Sequence, residues 1–278
     1  ISAPGAEVLD ASGLCLSPGF IDMHVHFRDP GYEYKENIVT GLRAAAAGGF
    51  TSVVCMPNTR PAADSASTVR YMHEKAAEAG LGRLYVAGAV SKGRAGKELA
   101  EMGDMFAQGI VAVTDDGSPV ADAQLMRRAL EYSRIFDIPI MAHEEDPDLV
   151  AGGVMHEGMV STTIGMRGIP AAAEQTMIAR DVILAAYTRG RLHVTNISTA
   201  ISADIIRCAR DRGAAVTCDV TPHHLTLTDE AVMGFDTSTK VNPPLRSKAD
   251  VDAMIKALAD GIIEAVATDH APHAVHEK

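Results

Sequence analysis

The sequence predicts a (β/α)8 barrel, and three observations carry that expectation. Eight short apolar runs recur along the 278 residues, and longer amphipathic stretches separate them. Most of the runs are continuously apolar rather than alternating, as parallel strands covered on both faces require. The runs are also followed by polar residues at their C-terminal ends, where barrels build their sites.

The elements follow in order. The strand Phe20–His26 opens the series, and the helical stretch Asn37–Ala47 follows it, with Gly49 behind. Thr51–Met56 leads into Ser65–Ala79 and Gly80; Arg83–Ala89 leads into Lys97–Phe106. Ile110–Thr114 precedes Ala121–Phe136, and Pro139–His143 precedes Ala172–Arg189 and Gly190. Arg191–Ile197 is paired with Ala200–Arg212 and Gly213, Ala214–Val220 with Ser247–Ala259 and Gly261, and Ile263–Thr268 closes the series. Each glycine falls where a left-handed helix cap is wanted. The linkers Glu144–Ala171 and Thr221–Ser247 are longer than the rest and are expected to be site-building loops. A doubly wound open sheet gives the same alternation, but it usually has fewer strands, and no G-x-G-x-x-G follows the first strand here.

Composition narrows the function. A net charge of −11 argues against nucleic acid, which needs a basic stripe. No stretch approaches 18 apolar residues without a charge, so no membrane span is expected. Cys15, Cys55, Cys208 and Cys218 are scattered with no C-x-x-C pair, the pattern of reduced cysteines in a cytoplasmic protein. The chain opens at Ile1 and stops at Lys278 in a charged run, so it reads as a piece of a longer protein.

The first strand ends in Asp22-Met23-His24-Val25-His26. Side chains alternate along a strand, so His24 and His26 share one face and can chelate one metal ion. Asp115-Asp116, His143 and Asp269-His270 close the fourth, fifth and eighth strands. Leaving imidazoles and carboxylates unpaired at several strand ends is costly, so a metal site explains them better. Mixed His and Asp ligation suits Zn²⁺ or another divalent first-row metal.

His24-Val-His26-Phe-Arg28-Asp-Pro-Gly31 resembles the signature of dihydroorotases, within the amidohydrolase superfamily of metal-dependent barrels. Cys55-Met-Pro-Asn58-Thr, Asp115-Asp116-Gly117, Ala142-His143-Glu144, Pro222-His-His224, Asn242-Pro-Pro-Leu-Arg246 and Asp269-His-Ala-Pro-His273 match that family in order. The resemblance implies Zn²⁺, one or two ions per chain, held by His24, His26, Asp116, His143 and Asp269. It implies reversible hydrolysis of dihydroorotate to N-carbamoyl-aspartate in pyrimidine biosynthesis, with Asp269 moving the proton. Arg28, Asn58 and His273 then hold the substrate carboxylate, and Asn242 contacts the ring amides. Hydantoin- and dihydropyrimidine-opening relatives usually carry a carboxylated Lys at this place; Asp116 there is similar to the class I bacterial dihydroorotases. Residues 1–18 are expected to be a remnant of a small β-rich domain and 19–278 the barrel, with the last helix and C-terminal segment missing.

One position departs from the family. His193-Val-Thr-Asn196-Ile-Ser198 places Asn where the family carries a metal-binding His. An amide oxygen is a weak Zn²⁺ ligand beside imidazole. The readings left open are a weakened second metal position, an altered residue, or a non-catalytic subunit partnering aspartate transcarbamoylase. An allantoinase or hydantoinase is the rival enzyme, and the sequence leaves room for a homo-oligomer. Asp115 reads as a strand-end cap or a partner of the ligands, Arg246 as structural, His223 and His224 as surroundings rather than ligands, and His73, His156 and His276 as surface or loop positions.

Overall fold

A computed structural model describes residues 5–7 and 9–278; expectations for residues 1–4 and 8 lie outside the described residues. Ten strands appear among them: β1 (Phe20–Val25), β2 (Phe50–Cys55), β3 (Arg83–Gly88), β4 (Ile110–Val113), β5 (Ile140–His143), β6 (Met155–His156), β7 (Gly168–Ile169), β8 (Leu192–Thr195), β9 (Val216–Val220) and β10 (Ala265–Val266). β1 to β5 and β8 to β10 form one eight-stranded sheet in chain order, while β6 and β7 pair only with each other. The pairs in the large sheet are parallel. A parallel bridge between Val25 and His270 joins the first strand to the residues after the last, and the His26 amide donates to the His270 carbonyl at 2.8 Å. Asp22 staples the same seam, accepting from the Thr268 amide at 3.1 Å and from its hydroxyl. The sheet is a barrel, as the strand count predicts.

The helices are α1 (Ile38–Ala47), α2 (Ala66–Ala79), α3 (Met102–Phe106), α4 (Ala123–Ser133), α5 (Pro147–Val150), α6 (Met159–Ile164), α7 (Ala172–Thr188), α8 (Ala200–Asp211), α9 (Pro222–Thr226) and α10 (Lys248–Ala259). Capping fixes several starts. Asn37 accepts from the Thr40 amide ahead of α1, Asp122 from those of Gln124 and Leu125 ahead of α4, and Thr199 from that of Ser202 ahead of α8. Ile38, Leu42, Val69, Met72, Leu130, Ile178, Ile206 and Met254 turn one face of these helices onto the sheet and build the main core. Val53 and Cys55 belong to that core, whereas Val54 and Met56 meet Ala87, Ala112 and Met141 in a second cluster. The period of two puts that second set inside the barrel.

Several elements differ from the sequence expectation. The eighth barrel strand shrinks to Ala265–Val266, because only those residues pair with β9 while Thr268 is taken by Asp22. The third helix starts at Met102 rather than Lys97: Leu99 bridges back to Ser91, and the Lys92 amide bonds the Glu98 carbonyl. Arg189, not Gly190, takes the left-handed cap after α7, at φ 57°. Gly190 is needed for close approach instead, since a Cβ there lies 3.0 Å from Leu130 atoms. The long linker after β5 also holds more structure than a loop: α5, the β6–β7 ribbon and α6.

Candidate metal centre

The ends of β1, β4, β5, β8 and β10 bring the polar strand-end residues to one mouth of the barrel. His24 and His26 lie on the inward face of β1, with ring centroids 5.1 Å apart. His24 Nε2 is 3.2 Å from Asp116 Oδ2 and 3.6 Å from Asp269 Oδ1. His26 Nε2 is 3.3 Å from Asp116 Oδ2 and 3.0 Å from Asp269 Oδ1. Ligands bound at about 2.0–2.1 Å in a tetrahedron stand about 3.3–3.4 Å from one another. The spread of 3.0 to 3.6 Å brackets that edge.

Polarity supports the same reading. Both ring nitrogens of His24 are buried and lack a hydrogen-bond partner. His26 Nδ1 lies 2.8 Å from Asn58 Oδ1, an acceptor, so Nδ1 carries the proton and the Nε2 lone pair faces the carboxylates. Lone pairs facing carboxylate oxygens require a cation or another proton between them. Burial pulls the His24 imidazolium down, but Asp116 and then Asp269 overcome it and raise the ring to about 10. Burial pushes Asp269 up, yet the imidazoles of His26 and His24 hold it below the usual carboxylate range. The donor set thus draws positive charge inward, which fits a divalent cation on His24, His26, Asp116 and Asp269.

Three residues at this mouth have left-handed backbones: Arg28 (φ 62°), Asn196 (φ 55°) and Asp269 (φ 51°). Such conformations cost about 1–3 kcal/mol each and persist only where surroundings enforce them. At Asn196 the enforcing group is Asp219, whose Oδ1 accepts the Asn196 amide at 2.7 Å.

The remaining predicted residues gather around the same place. A cavity of about 200 Å³ is lined by His26, Arg28, Asn58, Asp116, His143, Asn196, Asn242, Asp269 and His273. His143 stands apart from the tight cluster, with Nδ1 3.9 Å from Asp116 and Nε2 turned to Glu145 at 3.6 Å and Asn242 at 3.3 Å. Asn196 Nδ2 donates to Asp269 Oδ2 at 3.3 Å, while its buried Oδ1 has no partner. Arg28 Nε donates to the Pro272 carbonyl at 3.2 Å, which ties it to the segment carrying His273. His224 is buried between Thr221 and the Pro243 carbonyl and is pushed down to about 3 by burial, then by His223 and Arg246. Arg246 is also buried, on Glu174 and Ser198, and it contacts half-buried His156 at 3.3 Å.

Several residues that shape the site carry no motif of their own. Asp219 holds both the Asn196 amide and His193 Nε2, the latter at 2.9 Å. Its signal was a lone carboxylate inside the apolar run Ala214–Val220. Glu145 and Arg94 have no such signal, because both lie in loops whose path only tertiary contacts set.

Fold and site together define a parallel barrel with a candidate metal centre at the strand ends. A family model described as dihydro-orotase-like matches residues 13–202, and the chain belongs to that family. It is 55% identical over 278 residues to a dihydroorotase of Syntrophotalea carbinolica and 56% identical to one of Pelotomaculum thermopropionicum. Both matches take in 100% of this chain, which spans 65% of the length of each relative. Among solved structures, an L-hydantoinase (dihydropyrimidinase) from Arthrobacter aurescens shares the fold with a TM-score of 0.81 at 21% identity, over 94% of this chain and 59% of that one. A dihydropyrimidinase from Brevibacillus agri superposes with a TM-score of 0.77 at 25% identity, over 99% of this chain and 62% of that one.

Proposed function

We propose that the protein hydrolyses the ring amide of dihydroorotate, reversibly, to N-carbamoyl-aspartate. The observation that carries this reading is the convergence of His24, His26, Asp116 and Asp269 beside a cavity also lined by the Arg28 guanidinium and the amides of Asn58 and Asn242. A cavity of about 200 Å³ is the size of one small ring, below the about 300–1,000 Å³ of pockets that take drug-sized ligands. His24, His26, Asp116 and Asp269 would hold a divalent ion, Zn²⁺ by donor type, which when bound would supply Lewis-acid chemistry and a more acidic water.

The chain's own residues do the rest. Asp269, held ionised and facing the cavity, accepts the proton of the attacking water and returns it to the leaving ring nitrogen. Arg28 meets the substrate carboxylate with a planar fork. Asn58 and His273 complete that clamp, and Asn242 reaches the ring amides. Asn58 has a second task, fixing the His26 tautomer. Asp116, rather than Lys, at the end of β4 favours dihydroorotate over hydantoin or allantoin.

Asn196 favours one tightly held ion over two. Its amide is spent on Asp269, and His143 is turned to Glu145 and Asn242. The alternative of a non-catalytic subunit beside aspartate transcarbamoylase rests on Asn196 alone, and the assembled cluster counts against it. Four free cysteines support a cytoplasmic location. No helix among the described residues is long and apolar enough to cross a membrane. Exposed Leu9, Leu14 and Leu16 fit the reading of 1–18 as part of a small separate domain.

The test is dihydroorotate hydrolysis by the full chain before chelation, after it, and after adding Zn²⁺ back. Loss and recovery of activity support the assignment. A chain that binds zinc but leaves dihydroorotate intact contradicts it.

A further inference from the structure

We propose that Arg94 is a positioning residue for Asp116, and that the loop after β3 thereby sets the metal affinity of the centre. The proposal rests on the reading of Asp116 as a metal ligand. Asp116 lies three residues beyond the end of β4, outside the sheet ladder, so strand pairing does not fix its carboxylate. Two other contacts do. Its amide donates to Thr114 Oγ1 at 3.0 Å, and its carbonyl accepts from Arg94 NH2.

The same guanidinium nitrogen reaches the Asp115 carbonyl at 3.2 Å. It also packs under the next residue. A Cβ at Gly117, where φ is +78°, comes 3.3 Å from Arg94 NH2. One planar group therefore covers the turn that aims Asp116 Oδ2 at both His24 and His26. Arg94 is itself held in place. It has a left-handed backbone (φ 55°), uncommon away from glycine, and its backbone amide donates to the Ser91 carbonyl at 2.9 Å.

The loop is clasped from the other side as well. Asp115 Oδ1 accepts the amides of Val90 at 2.9 Å and Ser91 at 3.0 Å, and Asp115 Oδ2 accepts the Ser91 hydroxyl. Asp115 thus gives its carboxylate to the β3 loop, and the loop returns Arg94 to the Asp115 and Asp116 carbonyls. The exchange is reciprocal, and neither half touches the cavity lining except through Asp116 and Gly117.

Arg94 makes these contacts through one nitrogen, so the point donor of Lys keeps part of them while losing the planar group that lies under Gly117. Outer partners of metal ligands change affinity by about 10–100-fold when removed. The experiment measures zinc affinity of the full chain by competition with a chromophoric chelator, for the unaltered protein, Arg94→Gln and Arg94→Lys. Visible Co²⁺ absorption and unfolding of the metal-free form are recorded on the same samples. The expected result is a loss of about 10-fold or more for Arg94→Gln, a smaller loss for Arg94→Lys, and an altered Co²⁺ spectrum in both. If Arg94→Gln does not fold, the Arg94→Lys affinity decides alone. Affinities within twofold of the unaltered chain and an unchanged spectrum, with only metal-free stability shifted, overturn the proposal. Failure of the unaltered chain to bind zinc overturns the metal-centre reading itself, and the positioning role with it.

Discussion

Asn196 is fixed through both its backbone and its side chain. Its backbone is left-handed, its amide hydrogen is fixed on Asp219, and its Nδ2 is committed to Asp269. The buried Oδ1 has no hydrogen-bond partner and is free to accept one. Replacing Asn196 with His supplies an imidazole in its place, at the end of the strand paired with the one that carries His143, in the lining of the same cavity. Asn196→His is therefore expected to raise zinc stoichiometry from one to two per chain, read by metal analysis after gel filtration. A count that stays at one contradicts the placement of this strand end. The imidazoles and carboxylates at the strand ends were legible in the sequence, because H-x-H and isolated carboxylates stand out against apolar runs. The hydrogen bond between Asn58 and His26 was not legible, since a contact across 32 residues leaves no local trace.

Elements were read well where periodicity and caps agree. The structure keeps α1, α2, α7, α8 and α10 to within a residue or two of the sequence reading. β10 and α3 were overstated for one reason: apolar or amphipathic pattern says what is buried, while pairing with a neighbour decides what is ladder or helix. Ile263 and Ala267 are buried without belonging to β10. The contact between α1 and the first strand's exit offers a direct test of element packing. A Cβ at Gly41 falls 2.3 Å from Phe27 Cδ1, and Phe27 sits between His26 and Arg28. Gly41→Ala is expected to destabilise the fold by about 1–3 kcal/mol, through forced movement of a buried ring. Chemical denaturation of the metal-free chain measures it. A change under about 0.5 kcal/mol, the range of an ordinary surface substitution, means that Phe27 yields freely and does not anchor this strand end.

At the scale of the molecule, the barrel turns a sequence of strands into a ring of strand ends. The Val25–His270 bridge and the Asp22 staple bring residues some 245 positions apart to one seam. That closure is why His24 and His26, from the first strand, face Asp269, from beyond the last. Topology was legible from the count of strands and the continuous apolar runs. The seam was not, because nothing local marks Asp22 as its fastener. The central claim is that His24, His26, Asp116 and Asp269 together hold one divalent cation. Zinc content of the purified full chain, measured by mass spectrometry after zinc supplementation and removal of free metal, tests it most directly. The expected result is about one zinc per chain, lost in His26→Ala. A chain with no zinc, or one whose zinc survives that substitution undiminished, contradicts it.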